Sequence, residues 1–275
     1  MAAVTMAAVK ELRERLGAGM MDSKKALEEA GGDIEKAIEI LRLKGAAGVA
    51  KREGRSTTEG LVAAHEGDGK VTLIELSCET DFVAKNEKFI ALGDKVLVAV
   101  AAAGAATVEE ALAAEVDGKT VADLITDESA IIGEKLELRR VALLEGDAFA
   151  VYMHRTSKDL PPQVGVVVAY SGDDAETAHA IAQHISFADP QYLTREDVPA
   201  EAVEKEREIV TEIAKNEGKP EAAMPKIIEG RLTGFFKGIV LLDQAYARDS
   251  KLSVQQVVDQ AGLTVTGFAR FKVGA

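Results

Sequence analysis

The spacing of apolar residues predicts helices at both ends of the chain and strands in its middle. Over residues 5–44 the apolar positions recur at steps of three and four, and this pattern predicts three short amphipathic helices. Short side chains that accept a backbone hydrogen bond favour the N-cap, so the predicted caps are Thr5, Asp22 and Asp33. Gly17 is the predicted end of the first helix. Three helices of this length bury little surface, which indicates a small module that we interpret as an interaction module.

Met20 and Met21 lie at the junction between the first two predicted helices. Flexible, polarisable methionines suit an adaptable binding surface, and they equally suit a plug that fills the gap between the helices. Both interpretations stay open on the sequence alone. The next stretch, residues 45–57, combines small and basic residues without an apolar period, which predicts a linker.

The chain then changes to the two-residue period that is typical of strands. The runs 61–64 and 71–78 are joined by the Gly- and Asp-containing residues 66–69, which predicts a β-hairpin. Cys78, at the end of the second run, is interpreted as a small buried hydrophobic residue. A helix with apolar steps of three and four is predicted from Phe89 onward.

The same order of two strands and a helix occurs again later in the chain. The runs 149–153 and 164–170 are strand-like and are followed by a helical segment, and residues 136–144 form a further predicted strand. The repeat predicts an α+β fold whose core contains two related strand-strand-helix subdomains. Arg139 and Arg140 are neighbours in a strand and should point to opposite faces, so at least one should face solvent or a partner.

The last third of the chain is mainly helical. Pro199 and Pro220 can each begin a helix, and the short connection between these helices predicts an antiparallel hairpin. Ser253 and Gln256 have the spacing of a capping box, and residues 265–273 form a last predicted strand. This terminal segment has little core of its own, so we expect it to pack on a partner.

Composition and charge narrow the class of function. The formal net charge is −13, which argues against a protein that follows nucleic-acid phosphates, because such proteins need clustered Lys and Arg. The chain has no tryptophan and only 4% aromatic residues, which leaves few side chains for stacking on bases. The sequence lacks an uncharged apolar run of about 18 residues and the pattern of a signal peptide. We therefore expect a cytoplasmic protein that contacts neither a membrane nor nucleic acid directly.

The sequence offers few residues for catalysis or metal binding. His179 and His184 are five residues apart, whereas two ligands on one helical face need a spacing of three or four. A single cysteine excludes an internal disulfide and a thiolate metal cluster. The sequence contains neither a phosphate-binding glycine loop nor a Gly-x-Ser-x-Gly nucleophile motif. We therefore expect a protein that is not an enzyme and that binds no cofactor or metal.

Residues 80–86 join a strand to a helix and place an acid, an aromatic ring and a lysine close together. Asp81 is the predicted N-cap of that helix. Phe82 lies seven residues before Phe89, near the same face of a continuous helix, so the pattern favours a core position. The alternative is an exposed anchor between charges, which suits an interface hot spot. His184 is equally ambiguous, and a hydrogen-bonded core histidine is the default interpretation on its apolar stripe.

Several ordered motifs resemble the bacterial elongation factor Ts family, and they cover essentially the whole chain. Residues 79–86, Glu-Thr-Asp-Phe-Val-Ala-Lys-Asn, are similar to the most diagnostic motif of that family. The other similar segments are residues 12–22, 24–27, 134–140 and 270–274. Ordered matches spread this widely are far more specific than one short motif.

The resemblance implies a particular α+β architecture. It comprises a ubiquitin-associated-like three-helix N-terminal module, a core of two related subdomains, a helical hairpin, and a small C-terminal module with a return strand. Together with the pattern it predicts the following divisions, in that order: residues 1–53, 54–145, 146–198, 199–240 and 241–275.

The resemblance also implies a function and a partner. A family member is a guanine-nucleotide exchange factor that binds elongation factor Tu with GDP and promotes GDP release by disturbing the magnesium and phosphate site. Asp81 and Phe82 would enter the GTPase domain of the partner. The implied contact residues are Thr80, Asp81, Phe82, Val83, Lys85, Asn86, His184, Ile185, Arg13, Met20, Met21 and Arg139.

Two further expectations follow from the resemblance. Because this chain carries both core copies, it implies one chain per elongation factor Tu, with room for higher assemblies of such heterodimers. The chain also departs from the family at one place, because Ser186-Phe187 follow His184 where the family often has small residues.

Overall fold

The computed structural model describes residues 4–16 and 18–275 and begins with three helices. They are α1 (Met6–Leu16), α2 (Met20–Glu29) and α3 (Ile34–Arg52). Thr5 and Asp33 accept hydrogen bonds from the backbone N–H of the first turns, as predicted for caps. The predicted helix end at Gly17 lies outside the described residues.

The predicted cap at Asp22 is wrong. Helix α2 begins three residues earlier than predicted, with Gly19 as its N-cap, and Asp22 lies in the first turn. The Ser23 N–H donates to the Gly19 carbonyl oxygen at 2.9 Å, so the helical hydrogen bonds start before the aspartate. Its carboxylate still complements the positive end of the helix dipole.

The predicted linker over residues 45–57 is also wrong in its first part, because α3 continues to Arg52. Gly45 of α3 approaches helix α7 (Val121–Ile132) closely. A Cβ atom added at Gly45 would lie 2.8 Å from the Cβ of Ala130. Arg52 Nη2 also donates to the carbonyl oxygen of Ser129 at 3.0 Å. Gly45 therefore marks a helix contact and not a flexible connection.

The first core sheet is antiparallel and has the order β1-β2-β5. Strands β1 (Glu59–Gly67) and β2 (Lys70–Cys78) form the predicted hairpin, and β5 (Glu137–Glu145) is the third strand. At the turn, Asp68 and Gly69 have φ angles of 54° and 71°, which is the geometry of a tight two-residue hairpin turn.

Several elements between β2 and β5 cover one face of this sheet. They are α4 (Asp81–Ala84), α5 (Glu87–Ala103), α6 (Val108–Ala113), the small hairpin of β3 (Glu115–Val116) and β4 (Lys119–Thr120), and α7. Phe89 and Val96 of α5 pack on Ile74 and Leu76 of β2. Cys78 belongs to this cluster and is buried, as predicted, and burial raises the pKa of its thiol to about 12.

The second core sheet repeats this topology. Strands β6 (Ala148–His154) and β7 (Val164–Ser171) form a hairpin, α8 (Ala175–Ala188) follows, and the order is β6-β7-β10 with β10 (Thr264–Lys272) as the third strand. The predicted repeat and the α+β class are confirmed. The pattern missed that each copy receives a third strand much later in the chain.

The connection between α8 and β10 contains the predicted helical hairpin. It is formed by α9 (Ala200–Asn216) and α10 (Met224–Ile239), which are followed by β8 (Ala245–Tyr246), β9 (Asp249–Ser253) and α11 (Val254–Gln260). The capping box of Ser253 and Gln256 is confirmed. Val254 and Val258 share a core cluster with Ile181 of α8, so the terminal segment packs on the second sheet. The five divisions of the chain stay a prediction.

The two sheets pack face to face. Val62, Val71 and Leu73 of the first sheet contact Val167 and Phe271 of the second, and the helices cover the outer faces. The central strands β2 and β7 are therefore buried on both sides, which explains their nearly continuous apolar runs. In the described part of the chain, every helix is too short or too polar to cross a membrane.

Close approach of the sheets predicts that Gly165→Ala destabilises the fold. The added Cβ would lie 2.5 Å from Val62 Cγ1 and 3.1 Å from Leu73 Cδ1. Overpacking of this kind costs about 1–3 kcal/mol of unfolding free energy, which denaturant titration measures. Gly267→Ala is the matched control, because its Cβ would meet no atom closer than 4.0 Å. Equal stability of the two variants would contradict the prediction.

Candidate functional site

The junction between β2 and α5 contains α4, a helix of four residues. Thr80 is its N-cap, and the Thr80 side chain accepts a hydrogen bond from the Val83 N–H at 3.4 Å. The prediction that Asp81 is the cap is therefore wrong. Thr80 has the extended backbone that a cap requires (φ −127°, ψ 155°), and Asp81 is the first helical residue.

A second cap separates α4 from α5. Asn86 has an extended backbone (φ −71°, ψ 128°) and accepts a hydrogen bond from the Lys88 N–H at 2.9 Å. Phe82 and Phe89 thus belong to two helices, and the assumption of one continuous helix is wrong. Phe89 is buried, whereas the side chain of Phe82 is 81% exposed. The core position that the pattern favoured for Phe82 is wrong, and the exposed alternative holds.

The residues next to Phe82 attach α4 to the core and form an ion pair on its surface. Val83 and Ala84 are buried against the first sheet and attach α4 to the core. Lys85 Nζ lies 2.6 Å from Asp81 Oδ2, one turn away. This hydrogen bond lowers the pKa of Asp81 and raises the pKa of Lys85. An exposed aromatic ring beside a neutralised ion pair is suited to contact with another macromolecule and not to acid–base chemistry.

His184 and Ile185 of α8 are buried. His184 is 3% exposed; its Nε2 lies 2.9 Å from Gln244 Oε1, and its Nδ1 accepts a hydrogen bond from the Ala247 N–H at 3.1 Å. Because Nδ1 accepts, Nε2 carries the proton and donates to Gln244. The interpretation of His184 as a hydrogen-bonded core histidine is confirmed. Its implied contact with a partner, and that of Ile185, stay predictions.

The other predicted contact residues lie on two further elements. Met20 and Met21 are exposed in the first turn of α2, so the interpretation that they plug a gap between helices is wrong. Arg13 is exposed on α1. Arg139 is exposed where the pairing of β2 with β5 shifts register, and its Nη1 donates to the Thr57 carbonyl oxygen at 3.1 Å.

The sequence reasoning missed the role of Glu134 at the junction and the exposure of Phe187 on α8. The carboxylate of Glu134 binds backbone groups of the junction, and no local pattern distinguishes this glutamate from one in solvent. Phe187 was noted only as a departure from the family. Its side chain is 82% exposed near the end of α8, and its position one residue before the helix end is the only local signal.

Comparison with known proteins addresses the family directly. The family model described as elongation factor TS matches residues 79–275, which is more than half of the chain. The chain is 73% identical over 275 residues to Elongation factor Ts of Clavibacter sepedonicus, and the alignment covers 100% of both chains. The chain belongs to the elongation factor Ts family. The resemblance found in the sequence is thereby confirmed.

Other members of the elongation factor Ts family agree over the full length. Identity is 68% over 276 residues with Elongation factor Ts of Leifsonia xyli and 59% over 277 residues with that of Micrococcus luteus, with 100% of each chain covered. The family model begins at Glu79, one residue before the cap of α4, so the junction lies within the matched part. The relatives extend the match to the three N-terminal helices. The chain is therefore related to translation elongation factors along its whole length.

Burial of His184 predicts a loss of stability on acidification. Burial lowers its pKa below the ordinary value of 6.5, so the unfolded state takes up a proton at a pH at which the folded state does not. The unfolding free energy should fall as the pH drops below 6.5, by at most about 1.4 kcal/mol per pH unit for this one group. His184→Gln should remove that slope in denaturant titrations, whereas His65→Gln, an exposed control, should keep it. An unchanged slope in His184→Gln would contradict the assignment.

Proposed function

We propose that this chain is a guanine-nucleotide exchange factor that binds elongation factor Tu with GDP and promotes release of the nucleotide. The observation that carries the proposal is the position of Phe82. Its ring is 81% exposed on a helix that begins at the cap Thr80 and is separated from α5 by the cap Asn86. This exposed ring lies within the motif by which the chain resembles the exchange-factor family.

Exposure and fixation together make Phe82 suitable as a wedge. Transfer of a phenylalanine side chain from water into an apolar crevice is worth about 1.5–3 kcal/mol. The ring is carried by a short helix that is attached to the core through Val83 and Ala84, so little backbone entropy is lost when the ring enters a crevice. Asp81 and Lys85 are paired at its base, so no uncompensated charge enters with it.

The proposed mechanism is negative coupling between two ligands of the GTPase. The wedge enters between helices of the partner near the magnesium side of the nucleotide site and disturbs the metal and the backbone that holds the phosphates. GDP and this chain then weaken each other's binding by the same factor, as linkage requires. No covalent bond is made or broken, so the function needs no catalytic residue in this chain, and GTP completes the exchange.

The remaining contact residues take supporting roles in the proposal. Arg13, Met20 and Met21 present an exposed surface of the N-terminal helices that can hold the GTPase domain, and methionines adapt well to such a surface. His184 and Ile185 are buried in α8, and in the proposal this helix of the second subdomain also contacts the partner. Arg139 holds the segment before β1 through Thr57. One chain binds one partner, and such pairs can assemble further.

Substitution at the junction tests the proposal. Phe82→Ala and Asp81→Ala should slow GDP release from elongation factor Tu at saturating factor by at least about tenfold, which corresponds to about 1.4 kcal/mol. Binding to the nucleotide-free GTPase should weaken less. Stopped-flow measurement with a fluorescent GDP gives the release rate, and titration calorimetry gives the affinity.

Val98→Ala is the control, because it shortens another exposed apolar side chain on α5, outside the junction. Unchanged release rates in both junction variants would exclude the wedge. A wild-type chain that binds the GTPase without changing GDP release would be an adaptor and not an exchange factor.

A further inference from the structure

A single carboxylate, that of Glu134, forms hydrogen bonds with the junction that carries Phe82. Glu134 Oε2 accepts hydrogen bonds from the backbone N–H groups of Glu79 and Thr80, each at 3.0 Å. Glu134 Oε1 lies 2.6 Å from the Thr80 hydroxyl. One side chain thus binds three donors of two consecutive residues, directly before the helix that presents Phe82.

The hydrogen bond between the Thr80 hydroxyl and Glu134 orients the hydroxyl group that caps α4. A carboxylate only accepts, so the Thr80 hydroxyl must donate its proton to Glu134. The lone pairs of that oxygen are then turned toward the Val83 N–H, from which it accepts at 3.4 Å. Glu134 therefore orients the hydroxyl that caps α4.

Helix α4 depends on such external support. It has four residues, and a helix of one turn fixes more backbone angles than its few hydrogen bonds can offset. Its geometry is imposed by the Thr80 cap, by the burial of Val83 and Ala84 and by the pair of Asp81 with Lys85. Loss of the cap orientation would loosen the backbone that aims Phe82.

The loop that carries Glu134 is fixed in return. Gly133 ends α7 with a left-handed backbone (φ 85°), which turns the chain back toward the junction. Glu79 Oε1 accepts a hydrogen bond from the Lys135 N–H at 2.6 Å, so Glu79 and Glu134 each bind the backbone of the other segment. The Ser129 hydroxyl also donates to the Glu134 carbonyl oxygen at 2.6 Å.

Hydrogen bonds also connect the Glu134 loop to the N-terminal helices. The carbonyl oxygen of Ser129, whose hydroxyl holds Glu134, accepts a hydrogen bond from Arg52 Nη2 at 3.0 Å. Arg52 is the last residue of α3. A chain of direct hydrogen bonds thus runs from the N-terminal module through the end of α7 to the cap of α4.

We propose that Glu134 is a positioning residue that holds the Thr80–Phe82 backbone in the conformation in which Phe82 projects from the surface. Its effect on exchange rests on the proposed function, whereas its effect on the junction concerns this chain alone. Two measurements separate these statements.

The first measurement is amide hydrogen exchange of the free chain by NMR. In Glu134→Ala the N–H groups of Glu79 and Thr80 should lose at least tenfold of their protection, while those of Leu73 and Ile74 in β2 keep theirs. Glu134→Gln keeps one oxygen acceptor, so it should retain an intermediate protection. A general structural role would instead lower the protection of the whole sheet.

Glu128→Ala is the matched control for this experiment. Glu128 lies on α7, and its side chain forms neither a hydrogen bond nor an ion pair with the described residues. In Glu128→Ala the amides of Glu79 and Thr80 should be as well protected from hydrogen exchange as in the wild type. Unchanged protection of these two amides in Glu134→Ala, or equal loss throughout β2, would overturn the positioning role.

The second measurement is a double-mutant cycle on GDP release at saturating factor. Glu134→Ala should slow release at least fivefold when Phe82 is present and should have no further effect in a Phe82→Ala background, because it acts through that ring. Equal slowing in both backgrounds would overturn the inferred route through Phe82. If Phe82→Ala alone has no effect, Phe82 is not the wedge, and if the wild-type chain does not change GDP release, the proposed function fails. In either case hydrogen exchange still decides whether Glu134 positions the junction.

Discussion

Face-to-face packing of the two three-stranded sheets is the contact on which the rest of the fold depends. It buries the inner side of every core strand and brings the last strand of the chain against the first sheet. Glu75, fully buried between the sheets, pairs with Arg140 and accepts a hydrogen bond from the Gly274 N–H. Arg140 in turn donates to the Lys272 carbonyl oxygen. Lys272 and Gly274 are thus bound to Arg140 and Glu75. Glu75 lies three residues before the end of β2, where the junction begins.

This double burial explains how much of the fold the sequence could predict. The run of residues 164–170 is almost entirely apolar because one face packs on α8 and the other on the first sheet. Such a run predicts a strand but carries no information about its partner. The pairing of Arg270 with Val166 joins residues about a hundred positions apart, and only the packed structure specifies that register. All six core strands were therefore predicted, whereas the sheet that each third strand joins was not.

The errors at the candidate site have a common physical cause. An apolar period records only spacing, and Phe82 and Phe89 keep helical spacing although Asn86 interrupts the helix between them. A side chain that bonds to its own neighbouring backbone redirects the chain without changing that period. Similarly, Gly45 looks the same in sequence whether it faces solvent or the Cβ of Ala130. The caps Thr80 and Asn86 and the close helix contact of Gly45 were therefore the features that the pattern did not supply.

The same caps explain why Phe82 is exposed. On a single continuous helix its ring would turn toward the stripe of Phe89 and be lost to any partner. Two successive caps at Thr80 and Asn86 prevent this rotation, and burial of Val83 and Ala84 makes the arrangement rigid. The backbone that carries the wedge must stay in place when the ring enters a crevice, because a flexible backbone would move before the helices of the partner do. Rigidity behind the ring, and not the ring alone, is therefore what the proposed exchange requires of this fold.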